Sequence, residues 1–181
     1  MIKNLVLHFN LINKHRFKVF KLCCRAGIPF RGLMHDLSKY SPTEFFESVK
    51  YYNGTYSPIT NCKKENGYSK AWLHHKGRNK HHHEYWYDYS APEPTPMIPY
   101  KYAVESICDT LAAGIVYSGE DWTNSTQLEY WKKSLESGKV RINKKTEQFY
   151  TDIYTQISQK GIKTVITPKN LRKTYNKYCI K

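Results

Sequence analysis

Acidic residues are scarce in this chain. There are 15 aspartates and glutamates against 29 lysines and arginines in 181 residues, a net charge of +14. A surplus of that size predicts an anionic partner: a nucleotide, a nucleic acid or an acidic surface. The cations are scattered, with a denser tail from Lys160 to Lys181. Cysteine is present only as Cys23, Cys24, Cys62, Cys108 and Cys179, with no CxxC pair and no framework spacing. That excludes a disulfide scaffold and predicts reduced thiols in a cytoplasmic protein. No run approaches the roughly 20 apolar residues of a membrane span, so no membrane partner is expected. The segment Met1 to His8 has neither a sustained apolar stretch nor a small-residue cleavage site, which predicts no signal peptide. Helix-turn-helix, zinc-finger and RNA-recognition motifs are absent, and so is any internal repeat.

What is there reads as one all-α domain. Hydrophobic residues make up 40% and aromatics 15%, enough for a packed core at this length. Residues 2–24 carry a helical repeat through Leu5, Phe9, Ile12, Val19 and Leu22, stopped by Gly27 and Pro29. His15 falls on that apolar face. A short helix is expected from Phe30 to Lys39. The next opens on Ser41-Pro42-Thr43-Glu44, an N-cap serine, a first-turn proline and a capping-box glutamate, and runs to about Tyr52. Asn53 to Gly67 reads as loop and Tyr68 to Lys76 as helix, with Arg78 to Tyr89 left open. Ala91 to Pro99 holds four prolines in nine residues and forms an extended connector. Tyr100 to Tyr117 is an interior helix. Helices follow from Asn124 or Ser125 to Leu135 and from Asn143 to Lys160, then a β-like run Lys163–Ile166, then a terminal helix from Thr167-Pro168. We divide the chain into a metal-binding helical core, 1–118, and a helical extension, 119–181, packed on the same domain.

The chemistry lies in the histidines and in two carboxylates set in apolar surroundings. His35-Asp36 sits in the mostly apolar run Gly32 to Lys39, and Asp109 in Ile107 to Val116. A carboxylate in such a place is costly unless a positive charge neutralises it, and a bound cation does so most effectively. The ordered candidates are His15, His35-Asp36, His74 or His75, one or two of His81, His82 and His83 (with His82 slightly favoured), and Asp109. Singly each has a plainer reading. A lone histidine on an apolar face is more often a hydrogen-bonded core residue, Asp109 could pair with Lys39 or Arg16, and His81 to His83 could be a solvated loop. Their joint order carries the inference.

That order, His, His-Asp, His, His, Asp on a helical chain, resembles the HD-domain superfamily of metal-dependent phosphohydrolases from Leu11 to about Ile115. The resemblance matches His15, His35, Asp36 and Asp109 to the positions holding that superfamily's first metal. His35-Asp36-Leu37-Ser38-Lys39 is similar to the HDxGK segment of HD-GYP phosphodiesterases, with Ser38 in place of the glycine. His82-His83-Glu84 is similar to the start of their HHE segment. The GYP part is missing, because this chain reads Tyr85-Trp86-Tyr87-Asp88, which argues against a cyclic-di-GMP enzyme of that subgroup.

The resemblance implies one or two divalent ions, with Mn, Fe, Co, Ni or Zn all compatible with mixed nitrogen and oxygen ligands. With two, Asp36 is the expected bridge, and His74 or His75 with His82 or His83 serve the second. A water between them would become the nucleophile toward a phosphoester, with a nucleotide the expected substrate. Lys39, one turn after His35, is expected to reach a phosphate, and Arg78 and Lys80 to hold further phosphate charge or to lie in solvent. Glu84 is expected to orient a ligand, protonate the leaving oxygen or face solvent. Tyr85, Tyr87 and Tyr89 could stack on a base, whereas Trp86 reads better as core. Two alternatives stand beside the hydrolase: a basic nucleic-acid-binding protein with a structural or vestigial metal site, and a di-iron oxygenase on the same scaffold.

Overall fold

The computed structural model describes residues 2–54 and 57–180, and among them there is no β-strand. Ten α-helices follow in order: α1 Ile2–Arg25, α2 Pro29–Met34, α3 Pro42–Lys50, α4 Pro58–Asn66, α5 Lys70–Arg78, α6 Tyr100–Ser118, α7 Thr126–Glu136, α8 Lys144–Lys160, α9 Ile162–Val165 and α10 Pro168–Cys179. The all-α expectation holds.

α1 buries Ile12, His15, Val19, Leu22 and Cys23, the stripe set by its apolar spacing. It stops at Gly27, whose φ of +78° is open to glycine at little cost. The chain then doubles back, and α2 lies hard against α1. A Cβ on Gly32 would stand 2.6 Å from Cys23 Cβ and 3.0 Å from the Phe20 Cα.

The expected helix over Phe30–Lys39 is broken in the middle. α2 ends at Met34, His35 is extended at φ −56° and ψ 129°, Asp36 is left-handed at φ 53°, and a 3-10 turn covers Leu37–Tyr40. Neighbouring residues of a continuous helix point about 100° apart and cannot face one centre together. Breaking the helix at this pair allows them to converge. Aspartate is among the few non-glycine residues that accept the left-handed region.

α3 starts as expected, with Ser41 Oγ accepting from the Glu44 N–H at 3.4 Å. Glu44 does not close the capping box, because its carboxylate turns inward toward α5. Inside the stretch 53–67 read as loop lies α4, started by Ser57-Pro58 and closed by Gly67 at φ +78°; Thr55 and Tyr56 of that stretch fall outside the described residues. Its polar sequence hid it: only Pro58 and Cys62 are buried. The β-like run over Lys163–Ile166 is the short helix α9, since no strand among the described residues could take up its backbone hydrogen bonds.

α6 runs through the middle, with Ala103 to Cys108, Leu111 and Ala112 all buried. One contiguous apolar core extends from Val19 on α1 through α6 to Phe149 and Ile153 on α8 and Leu171 on α10, so residues 119–181 share the core of residues 1–118.

Candidate metal centre

Breaks and helix ends deliver the polar side chains. His15 comes from the inner face of α1, His35 and Asp36 from the break after α2, His75 from α5, His81 and His82 from the turn after it, and Asp109 from α6. Two groups share Asp36, with His15, His35, Asp36 and Asp109 in one and Asp36, His75, His81 and His82 in the other, and Glu105 forms a third candidate group with His35 and His81. Within each, one candidate ligand atom per residue lies within 4.8 Å of the rest. Asp36 Oδ2 is 3.3 Å from His35 Nε2, while its Oδ1 is 3.3 Å from His75 Nε2 and 3.5 Å from His81 Nε2. Asp109 Oδ1 lies 3.0 Å from His15 Nε2 and 3.3 Å from His35 Nε2.

The inward atoms are short of partners. Nε2 of His15, His35, His81 and His82, together with Asp36 Oδ1, are buried without a hydrogen-bonded partner among the described residues. Buried polar atoms are nearly always satisfied, and a cluster of exceptions aimed at one place is an arrangement that could hold a cation.

The opposite edges of His35 and His75 are anchored by hydrogen bonds, whereas His81 Nδ1 makes none among the described residues. His35 Nδ1 bonds Glu105 Oε1 at 3.1 Å, His81 Nδ1 stands 3.4 Å from the same oxygen, and His75 Nδ1 bonds Glu44 Oε2 at 2.7 Å. Arg31 holds Glu105 in turn, with Nε at 2.7 Å and Nη2 at 2.6 Å from Oε2. Burial alone would raise the Glu105 carboxyl, but His35 and His81 hold it down to about 2. A carboxylate on Nδ1 fixes the tautomer that presents Nε2 to a metal.

Burial likewise disfavours charge on His35, yet Asp36, Asp109 and Glu105 around it raise its pKa well above the ordinary 6.5. His35, Lys39 and His75 keep Asp36 well below its usual range against the cost of burial. Lys39, 2.8 Å from Asp36 Oδ2, sets a further positive charge against these carboxylates.

His15, His35, Asp36, His75, His82 and Asp109 meet as the sequence order suggests. His81 joins them, although the second-ion expectation named His82 or His83 from that cluster. His74 and His83 stand outside these groups: His74 Nδ1 bonds Glu44 at 2.6 Å, and His83 Nδ1 lies 3.4 Å from Glu84. Glu44 and Glu105, which the sequence reading passed over, are the carboxylates that orient the rings. Glu105 had a signal: it precedes Asp109 by four residues on an apolar helix, and so shares its face.

The centre opens into a cleft of about 750 Å³, bounded by α1, α4, α6 and α7. Lys39, Lys63 and Glu84 line it, and Glu84 Oε2 is buried with His83 Nδ1 3.4 Å away. Arg78 and Lys80 do not line it. Arg78 is exposed and reaches a backbone carbonyl of its own helix, and Lys80 lies over the Tyr85 and Tyr102 rings. Tyr85, Tyr87 and Tyr89 are exposed outside it, and Trp86 packs against the core. The aromatic walls are Trp72, Tyr117, Tyr130 and Trp131 instead.

A family model described as a family of unknown function, DUF5662, matches residues 5–156, and the chain belongs to that family. The match takes in every residue of the centre and also α7, which walls the cleft. No curated protein and no solved structure matches the chain.

Proposed function

We propose that the protein is a divalent-metal-dependent phosphohydrolase acting on a nucleotide or related small phosphoester, in keeping with its resemblance to the HD-domain superfamily. The observation that carries this reading is the division of Asp36: one oxygen faces the His15–His35–Asp109 group and the other the His75–His81–His82 group, amid buried nitrogens that lack partners. The donor set, five imidazoles and two carboxylates, fits one or two first-row transition ions. Divalent cations held there supply positive charge to phosphoryl oxygens and bring the pKa of a water near neutrality.

The side chains do the rest. Lys39 stands at the mouth beside Asp36, where its ammonium offers a charge to a phosphate. Lys63 adds a second cation on the α4 wall, 4.5 Å over the Trp72 ring. Both favour an anionic substrate over an uncharged polyol. Glu84 lines the cleft with its Oε2 3.4 Å from His83 Nδ1, where the carboxyl can hold a proton for the leaving group. The apolar and aromatic walls along α6 and α7 suit the rest of a nucleotide better than a sugar alone.

The test is metal analysis of the purified protein, followed by turnover of mono-, di- and cyclic nucleotides with Mn or Co added. Wild type should retain a transition metal and release phosphate or open a phosphodiester. Asp36→Asn, which suits the left-handed backbone, should lose turnover while keeping its helical circular dichroism. Unchanged turnover in that variant, or in Asp109→Ala, would remove the reading.

A further inference from the structure

The positive charge is not scattered after all. Residues 1–35 carry seven lysines and arginines and none of the 15 acids, and residues 153–181 carry seven more and no acid. The 15 cations and 15 acids between them cancel, so the whole net charge of +14 belongs to the two ends of the chain. The fold brings those ends together. Arg25 Nη1 donates to the Lys163 carbonyl at 3.2 Å, and a Cβ on Gly27 would stand 2.8 Å from Pro168 Cγ, so the end of α1 abuts α9 and the start of α10.

On α1 the cations form a line. Lys14, Lys18, Lys21 and Arg25 are spaced four, three and four residues apart, and Lys3 falls on the same stripe about 33 Å from Arg25 at 1.5 Å per residue. The stripe points away from the metal centre, which His15 faces from the buried side of the same helix. Beyond Arg25, the abutting α9 and α10 add exposed Lys163, Lys169 and Lys173. None of these side chains forms an ion pair among the described residues; in the same region Lys177 is taken up by Asp152 and Arg172 by the Tyr100 ring.

We infer that this α1–α10 track binds the sugar–phosphate backbone of a nucleic acid, independently of the chemistry at the metal centre. A narrow row of unpaired cations matches a chain of regularly spaced phosphates. A membrane surface would need apolar side chains projecting from the same row. Here exposed Leu7 is the one large apolar side chain of α1 within the row and Val6 flanks it, whereas exposed Ile2 and Phe9 lie about a quarter turn or more away, with Phe9 against Tyr40, and Phe17 beside the row is covered by Lys21 at 4.3 Å. The track is a row of lysines and one arginine suited to phosphates, so binding is expected to be indifferent to sequence.

Fluorescence anisotropy with a labelled single strand and a duplex, titrated in rising KCl, tests this. Wild type should bind one or both, with log affinity falling linearly against log salt. Lys14→Glu/Lys18→Glu/Lys21→Glu should flatten that slope by about one unit per lysine and weaken binding at least tenfold or so, as phosphate contacts do. The same three lysines changed to alanine guard against a folding defect, with circular dichroism run on both. Lys70→Glu/Lys132→Glu/Lys133→Glu makes an equal charge change on exposed sites of the balanced middle segment. It should leave binding within about twofold after the general loss of net charge. Equal weakening by the two triple variants would assign the affinity to diffuse charge and overturn the track. So would absence of nucleic-acid binding at low salt, or stripe-dependent capture by phosphatidylserine vesicles in preference to nucleic acid.

Discussion

The two sides of α6 bury opposite kinds of matter. Toward α1, α3 and α5 the interior is made of His15, His35, Asp36, Glu44, His75, His81 and Glu105, held by carboxylate–imidazole contacts and Arg31. Toward α8 and α10 it is made of Phe149, Ile153, Ile157, Ile166 and Leu171, with tyrosines that find partners such as Thr110 for Tyr154 and the Ile98 carbonyl for Tyr175. The apolar side stabilises the bundle by removing surface from water, whatever the solution contains. The polar side places like charges and unpartnered nitrogens together, an arrangement that is costly alone and is relieved by a cation. One region makes the fold, and the other uses it.

Substitutions on each side should therefore fail in different ways. The largest effect on stability is expected from Phe149→Ala, where a fully buried ring packed edge-on to Tyr175 is lost. It should cost about 3–5 kcal/mol in chemical denaturation and leave the metal content per folded chain unchanged. If metal content fell with it, the two sides would be less separate than their packing implies.

Glu105→Gln sharpens the other half of the comparison. It keeps the shape but removes the charge shared by His35, His81 and Arg31. Metal affinity, measured by competition with a chelator, should weaken about 10–100-fold, with Glu105→Asp recovering part of it. A lower melting temperature with undiminished affinity would assign Glu105 to structure alone.

The smallest effect belongs to the surface pair that ties α8 to α10. Burial would raise the Asp152 carboxyl, but Gln156, Tyr178 and Lys177 outweigh it and hold it below the ordinary 3.8. A depressed carboxylate stabilises the folded state above its unfolded value, and that contribution is lost as pH falls through the folded one. Asp152→Asn should thus lower stability by roughly 0.2–1 kcal/mol near neutrality, and the difference from wild type should close in strong acid. A difference that persists there would point to packing instead of charge.

The same contrast explains what could be read from the residues. Helical periodicity, capping serines and stopping glycines locate α1, α3, α6, α8 and α10, because those elements bury apolar stripes. α4 escapes notice because it buries almost nothing, and α9 is mistaken for a strand because β-branched side chains suit either state when only four residues are involved. At the centre, residue order pointed to His15, His35, Asp36 and Asp109, with His74 or His75 and one or two of His81, His82 and His83. Order could not separate His74 from His75, nor rank His81 over His83, since that choice depends on which ring Glu44 and Glu105 turn inward. Arg78 and Lys80 were drawn in by proximity along the chain, whereas Lys63, closer in space, sits far from the histidines in sequence.

The close approach of α2 to α1 at Gly32 has a bearing on reading relatives of this chain. His35 and Asp36 hang from the end of α2, so the spacing between the two helices sets how far they reach. A single methyl at position 32 has no room, and the strut would have to swing outward, carrying both groups away from His15 and Asp109. A family member could keep every histidine and aspartate and still fail to gather them, and the missing hydrogen-for-methyl tolerance, not the donor set, would be where to look first.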